Sequence, residues 1–215
     1  MAVAANKRHG RWPADAITSP VAVQIARTPT QTLHLGLAYV LPGEHVQHVH
    51  LAWDRDLREG WRWTGLWAVP AVPRGRLAMV AGRCRRIWHR QKYEQEVRYG
   101  LAYGGNAFDW FGRFRPTNAT FGLTCATFAL AVFADEKIEL VDTSSWPERP
   151  DIAAELTVLA KQHGPPDVAA TMAAEAAAGA KRILPHEVFG ACLLDRLPAG
   201  FADASGTGQA AVAGL

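Results

Sequence analysis

The sequence predicts an α+β domain, and three observations carry that prediction. Two apolar segments, residues 32–41 (TLHLGLAYVL) and 46–53 (VQHVHLAW), flank the turn Pro42-Gly43-Glu44 and read as a β-hairpin. From Arg76 to about Lys92 the apolar residues Leu77, Val80, Ala81, Cys84, Ile87 and Trp88 recur at three and four positions, the period of an amphipathic helix. A third segment, GLTCATFALAVFADE, has the composition of a buried helix beginning near Thr124. A small, mostly antiparallel sheet packed against that Cys-bearing helix accommodates all three.

At 215 residues and 49% hydrophobic content the chain fills one core, with little room for a second. Residues 1–18 read as a polar, poorly ordered lead-in, 19–197 as a single domain, and 198–215 (PAGFADASGTGQAAVAGL) as a small-residue, flexible tail. Within the domain, VAVQIA (21–26) opens the apolar part. WRWTGLWAVPAVP, with Trp61, Trp63 and Trp67, suggests a short strand or an extended edge. A long loop, about 99–120, precedes the Cys helix, and loops of that length tend to be functional. IELVDT (138–143) reads as a strand, and two Ala-rich helices follow at about 151–163 and 166–182.

The net charge is only +3, so the chain has no basic coat. Arg83, Arg85, Arg86 and Arg90 cluster around Trp88. A phosphate-binding face is one reading; a solvated helix face is favoured, since no nucleic-acid motif accompanies the cluster, and no nucleic-acid partner is expected. Three unpaired cysteines, Cys84, Cys125 and Cys192, argue against a disulfide framework and a thiolate zinc site, and Cys84 reads as a core thiol. No segment has signal-peptide or membrane-span character, which makes cytoplasmic residence the default expectation.

Cys125 carries the chemical interest. A thiol in the first turn of a buried helix faces free backbone N–H groups and the positive end of the helix dipole, which lower its pKa and can hold an oxyanion. Thr124 supplies an N-cap and Gly122 a tight entry. A lone Cys in an apolar helix is more often a packed thiol, so the histidines decide. An imidazole must take the thiol proton, and a third polar group must orient it. His34 opens one strand of the hairpin and His50 lies sixteen positions on in the next, so pairing brings the rings side by side. His48 is the reserve base. The triplet His45, His48 and His50, joined by Asp54 or Asp56, is the alternative, a metal site, but ligand spacing does not complete a shell; neither metal nor cofactor is expected. His163 and His186 sit in weak strand context, and His9 and His89 read as surface residues.

His34-Leu-Gly-Leu-Ala-Tyr39 resembles the HVGIYV-type strand of NlpC-type cysteine peptidases, and Val49-His50-Leu-Ala52 resembles their next strand, whose His orients the catalytic imidazole. In that family the Cys helix comes first, whereas the order here is His, His, Cys. That order is similar to the circularly permuted, lecithin:retinol acyltransferase-like branch. The likeness covers residues 33–54 and 99–134. It implies a permuted papain-like fold and a cysteine hydrolase of amide or ester bonds, or an acyltransferase, acting on a peptide, amide or lipid-ester substrate. Cys125, His34 and His50 are then catalytic, and Tyr99, Tyr103 and Thr124 line the substrate pocket. Tyr103-Gly-Gly-Asn-Ala-Phe-Asp109-Trp110 mimics the run before the nucleophile of unpermuted enzymes, with Trp110 where the thiol would be, and reads as loop. The competing class is a non-catalytic binding module on the same fold, using its Trp-rich and Arg-rich surfaces. A metal-dependent hydrolase built on the His triplet is a third.

Overall fold

The computed structural model describes residues 8–11, 18–60, 65–115, 122–149 and 165–215, with positions 151, 154, 158 and 161 between. Six antiparallel strands form one sheet: β1 (His9–Arg11), β2 (Val21–Arg27), β3 (Leu33–Tyr39), β4 (Gln47–Trp53), β5 (Asp56–Glu59) and β6 (Gly65–Ala68). Their order is β1-β6-β2-β3-β4-β5. The described helices are α1 (Arg74–Glu94), α2 (Cys125–Ala134), α3 (Pro166–Ala177), α4 (Pro185–Leu193) and α5 (Phe201–Val212), with a 3-10 turn at Thr143–Ser145. The α+β class and the antiparallel sheet are thus as the sequence implies.

β2 is buried on both faces from Val21 to Ala26, which is why it reads as an apolar run, interrupted only by buried Gln24, rather than an alternating one. β6 lies against it, and Gly65 is required there: a Cβ at that position would stand 2.2 Å from the Ile25 carbonyl oxygen. The Trp-rich segment is therefore an inner strand at Gly65–Ala68, with Trp67 buried; Trp61 and Trp63 lie outside the described residues. α1 sets Leu77, Val80, Ala81, Cys84 and Ile87 into the core, as its period demands. α2 is different in kind. Every residue from Cys125 to Phe133 is buried, so it is a central helix, touching β3 and β4 as well as α1 and α4. No described helix is long and apolar enough to cross a membrane.

Four expectations need correction. His9–Arg11 of the lead-in is a strand paired with β6, while 1–7 and 12–17 lie outside the described residues. Residues 138–143 form no strand; Val141 makes only an isolated bridge to Ala199, and Asp142 caps the 3-10 turn. Arg83 is not solvated: it is buried and ion-paired to buried Glu136 at 2.8 Å. The tail is not flexible either. Phe201–Val212 is helix α5, packed on α4. Its small residues suggest disorder by composition, yet they let two backbones approach closely. A Cβ on Gly190 would meet the Ala204 carbonyl oxygen at 2.0 Å, and one on Gly208 would meet that of His186 at 2.0 Å. The Ala-rich stretch at 151–163 lies mostly outside the described residues, and α3 ends at Ala177, short of 182.

The helix pair gives a paired test. Gly206 has open space around it, so Gly206→Ala gains helix propensity and stabilises the protein by about 0.5–1 kcal/mol. Gly208→Ala, two positions on, must push α5 off α4 and destabilises by roughly 1–3 kcal/mol. Urea unfolding of the two variants reads the opposite signs. A stabilising Gly208→Ala would mean that the helices do not cross there.

Candidate active site

β3 and β4 pair with Leu37 opposite Val49 and Ala38 opposite His48. Continuing that register sets Gly36 opposite His50 and leaves His34 one diagonal step away on the same face, within reach of a long side chain. The rings meet: His34 Nε2 lies 2.8 Å from His50 Nδ1, with the planes edge to face at 87° and centroids 4.9 Å apart. Gly36, with no side chain, does not compete for that space. The hairpin thus brings together the two histidines the sequence selects.

His50 is buried and His34 half-buried. Removal from water disfavours the imidazolium and pushes His34 down to about 4, with the nearby Arg58 charge adding to the effect. The same burial, then the neighbouring His34 and Arg58, carries His50 down to about 3. Both rings are neutral at pH 7.

Cys125 begins α2. Thr124 caps it in extended geometry, its hydroxyl accepting the Thr127 N–H at 3.2 Å while Thr127 Oγ1 accepts the Thr124 N–H at 2.7 Å. That box uses the third N–H of the helix and leaves those of Cys125 and Ala126 turned to the sulfur, where the Leu35 backbone joins them. Leu35 directly follows His34, so the thiol rests against the start of the histidine strand. All three backbone groups, together with the Arg182 charge, favour a thiolate; burial outweighs them and pushes the thiol up. The depressed pKa expected from the helix-end seat is corrected accordingly, because that expectation reckoned the dipole and not the desolvation.

Of the pocket residues, Tyr99 lies near the thiol. It is buried, its phenol is raised to about 12 by burial and by Cys125, and its ring packs on Trp53 at 4.4 Å between centroids. The Asp54 carboxylate accepts its backbone N–H at 2.8 Å, which gives Asp54 a structural task rather than a metal. Tyr103 is elsewhere. Burial and the charges of Asp135 and Glu139 act on it, and Asp135 caps the far end of α2, about 15 Å along the helix from Cys125. It lines a separate cavity of about 860 Å³ with Asn106, Lys137 and Glu139. Thr124 is fully buried and committed to the cap, so its side chain does not line a pocket. The resemblance offered Tyr103 as the tyrosine that lines such pockets, and Thr124 stands next to Cys125 in the chain.

His48 shares the face of His50, two residues along β4, and is buried; His45 is exposed in the β3–β4 turn. Among the described residues no three His, Cys, Asp or Glu side chains converge as a metal-ligand group. His163 lies outside them. Cys84 and Cys192 are buried core thiols, both pushed up by burial.

Two residues near the thiol escaped sequence reasoning. Arg182 is buried and its charge reaches both Cys125 and Tyr99. Glu175 receives the Leu101 N–H at 2.5 Å and is hydrogen-bonded by the backbone of Ala102 and Gly122, tying the long loop to the segment that enters α2. A signal for Glu175 existed: it continues the buried positions Val168 and Met172 at helical spacing, a carboxylate where an apolar residue belongs. Arg182 had none.

Comparison of the chain with family models, with curated proteins and with solved structures gives no match in any of the three.

Proposed function

We propose that this chain is a cysteine-nucleophile hydrolase of acyl bonds, amide or ester, with Cys125 as nucleophile, His34 as base and His50 as the group that orients His34. Its topology is then a permuted papain-like one, the histidine strands preceding the Cys helix. The reading rests on one observation: a 2.8 Å hydrogen bond between His34 Nε2 and His50 Nδ1, on the strand whose Leu35 backbone acts on the Cys125 thiol. A buried imidazole hydrogen-bonded to a half-buried one is a costly way to fill a core, and the arrangement has the logic of a base held in one tautomer.

If His34 donates its Nε2 proton to His50 Nδ1, its proton-accepting atom is Nδ1. The resting site is thiol and neutral imidazole. His34 Nδ1 takes the thiol proton as sulfur attacks the substrate carbonyl, forming the C–S bond. The oxyanion is met by backbone N–H groups at the start of α2. The tetrahedral adduct collapses, the leaving nitrogen or oxygen takes the proton from His34, and an acyl-thioester remains. Water, deprotonated by His34, attacks that thioester and releases the acid with the thiol restored. A different acceptor at this last step makes the same site an acyltransferase.

Peptide- and lipid-based carbonyl electrophiles test the reading. Intact-protein mass spectrometry should find one adduct, on Cys125, with none on Cys84 or Cys192 and none in Cys125→Ala. Folded protein that forms no Cys125 adduct with either class, or labels its three thiols alike, would favour the binding module instead.

A further inference from the structure

The long loop ahead of α2 carries a feature that the hydrolase reading does not use. Phe108 and Phe114 pair in an antiparallel bridge, making a small hairpin whose tip is Trp110-Phe111. The tip is rigidly built. Asp109 Oδ1 accepts the N–H groups of Phe111 at 2.9 Å and Arg113 at 3.0 Å, and the Asp109 carbonyl accepts that of Gly112 at 3.0 Å. Gln91 of α1 donates to the Gly112 carbonyl at 3.1 Å. Gly112 has φ +80 and sits so close to α1 that a Cβ would meet the Arg86 carbonyl oxygen at 2.7 Å. A pinned turn is normally polar, yet this one holds Trp110 63% exposed and Phe111 71% exposed.

Cations surround the two rings. The Arg86 guanidinium lies 4.4 Å from the Trp110 ring centroid and that of Arg83 5.5 Å. Arg90 follows one turn on in α1, and Arg113 and Arg115 are exposed on the hairpin itself. Four carboxylates act on these five arginines: Glu136, buried against Arg83 and Arg86; Asp135, whose charge meets that of Arg83; Glu94, paired with Arg90; and Asp109, near Arg115 at 3.6 Å. The local excess is positive and lies beside two exposed rings. Aromatic side chains prefer the boundary between headgroups and acyl chains, and arginines around them meet anionic headgroups.

We propose that the Trp110-Phe111 hairpin tip, with its surrounding arginines, docks the protein on anionic lipid bilayers. The tip enters the headgroup region, and exposed Arg113 and Arg115 with the half-buried Arg86 and Arg90 lie against the lipid phosphates. Exposed aromatic rings amid arginines suit the headgroup layer of a deformable bilayer, whereas a protein partner would need a matching socket. Docking depends on residues apart from Cys125, His34 and His50, so it stands or falls independently of the proposed chemistry.

Vesicle co-sedimentation of the full chain provides the test, with phosphatidylcholine vesicles containing about a third phosphatidylglycerol against pure phosphatidylcholine. The protein should bind the anionic vesicles at low salt and leave them as salt rises. Trp110→Ser/Phe111→Ser should weaken partitioning roughly a hundredfold. Arg113→Gln/Arg115→Gln, which leaves the core and the rings in place, should weaken it about twentyfold. Absence of wild-type binding to anionic vesicles overturns the proposal, as does undiminished binding by both folded variants. Retention on single-stranded DNA with no vesicle binding overturns it in favour of a nucleic-acid face.

Discussion

His34→Gln slows acylation of Cys125 by about two to four orders of magnitude, the usual contribution of a positioned general base. The effect is large because the thiol cannot ionise by itself at neutral pH: burial pushes its pKa up despite the backbone N–H groups around it. The shape of the pH profile separates loss of a base from simple misfolding. In the wild type the base must be neutral, and His34 titrates at about 4, so acylation persists across neutral pH and falls only as the medium is acidified through about pH 4. In His34→Gln that acid limb disappears, and the rate climbs with pH as the thiolate fraction grows. An unchanged acid limb in the variant would remove His34 from the base role. His50 acts through His34, so its variants should grade by their ability to accept the Nε2 proton, with His50→Gln retaining more activity than His50→Ala.

The hairpin and the central helix were legible because both rest on local signals. Two apolar segments around Pro42-Gly43-Glu44 mark the β3–β4 hairpin, and its register decides that His34 and His50 share a face. Thr124, Cys125 and Thr127 spell a capped helix start within four residues. What was not legible depends on distant partners. Gly190 and Gly208 look like flexible punctuation until two helices are seen to cross there, and Arg83 looks like surface charge until Glu136 arrives from α2's far end. The thiol pKa belongs to the same class. A helix N-terminus is visible in sequence, whereas the degree of burial is a property of everything packed around it, and here burial prevails.

Acid weakens the fold through the same two histidines. Each has a folded pKa below its unfolded value near 6.5, at about 4 for His34 and about 3 for His50. Between those values the unfolded chain binds protons that the folded chain refuses, so stability rises with pH in that window. The contribution is whole above about pH 6.5 and is lost as the pH falls through 6.5 toward 4 and 3, by about 3 kcal/mol at His34 and about 5 kcal/mol at His50 when each is reckoned alone. Asp135 runs the other way. Burial raises its carboxyl to about 6, so its contribution is whole below its unfolded value and is lost as the pH rises through 6. A raw stability curve mixes the two. The difference between wild type and His34→Gln/His50→Gln, both followed by urea unfolding, cancels Asp135 because that residue is common to both. That difference should shrink in the wild type's disfavour by about 5 kcal/mol between about pH 7.5 and pH 4.5, roughly half from each histidine. A difference that stays flat across this interval would mean that the imidazoles are solvated and not the buried neutral pair on which the proposed base depends.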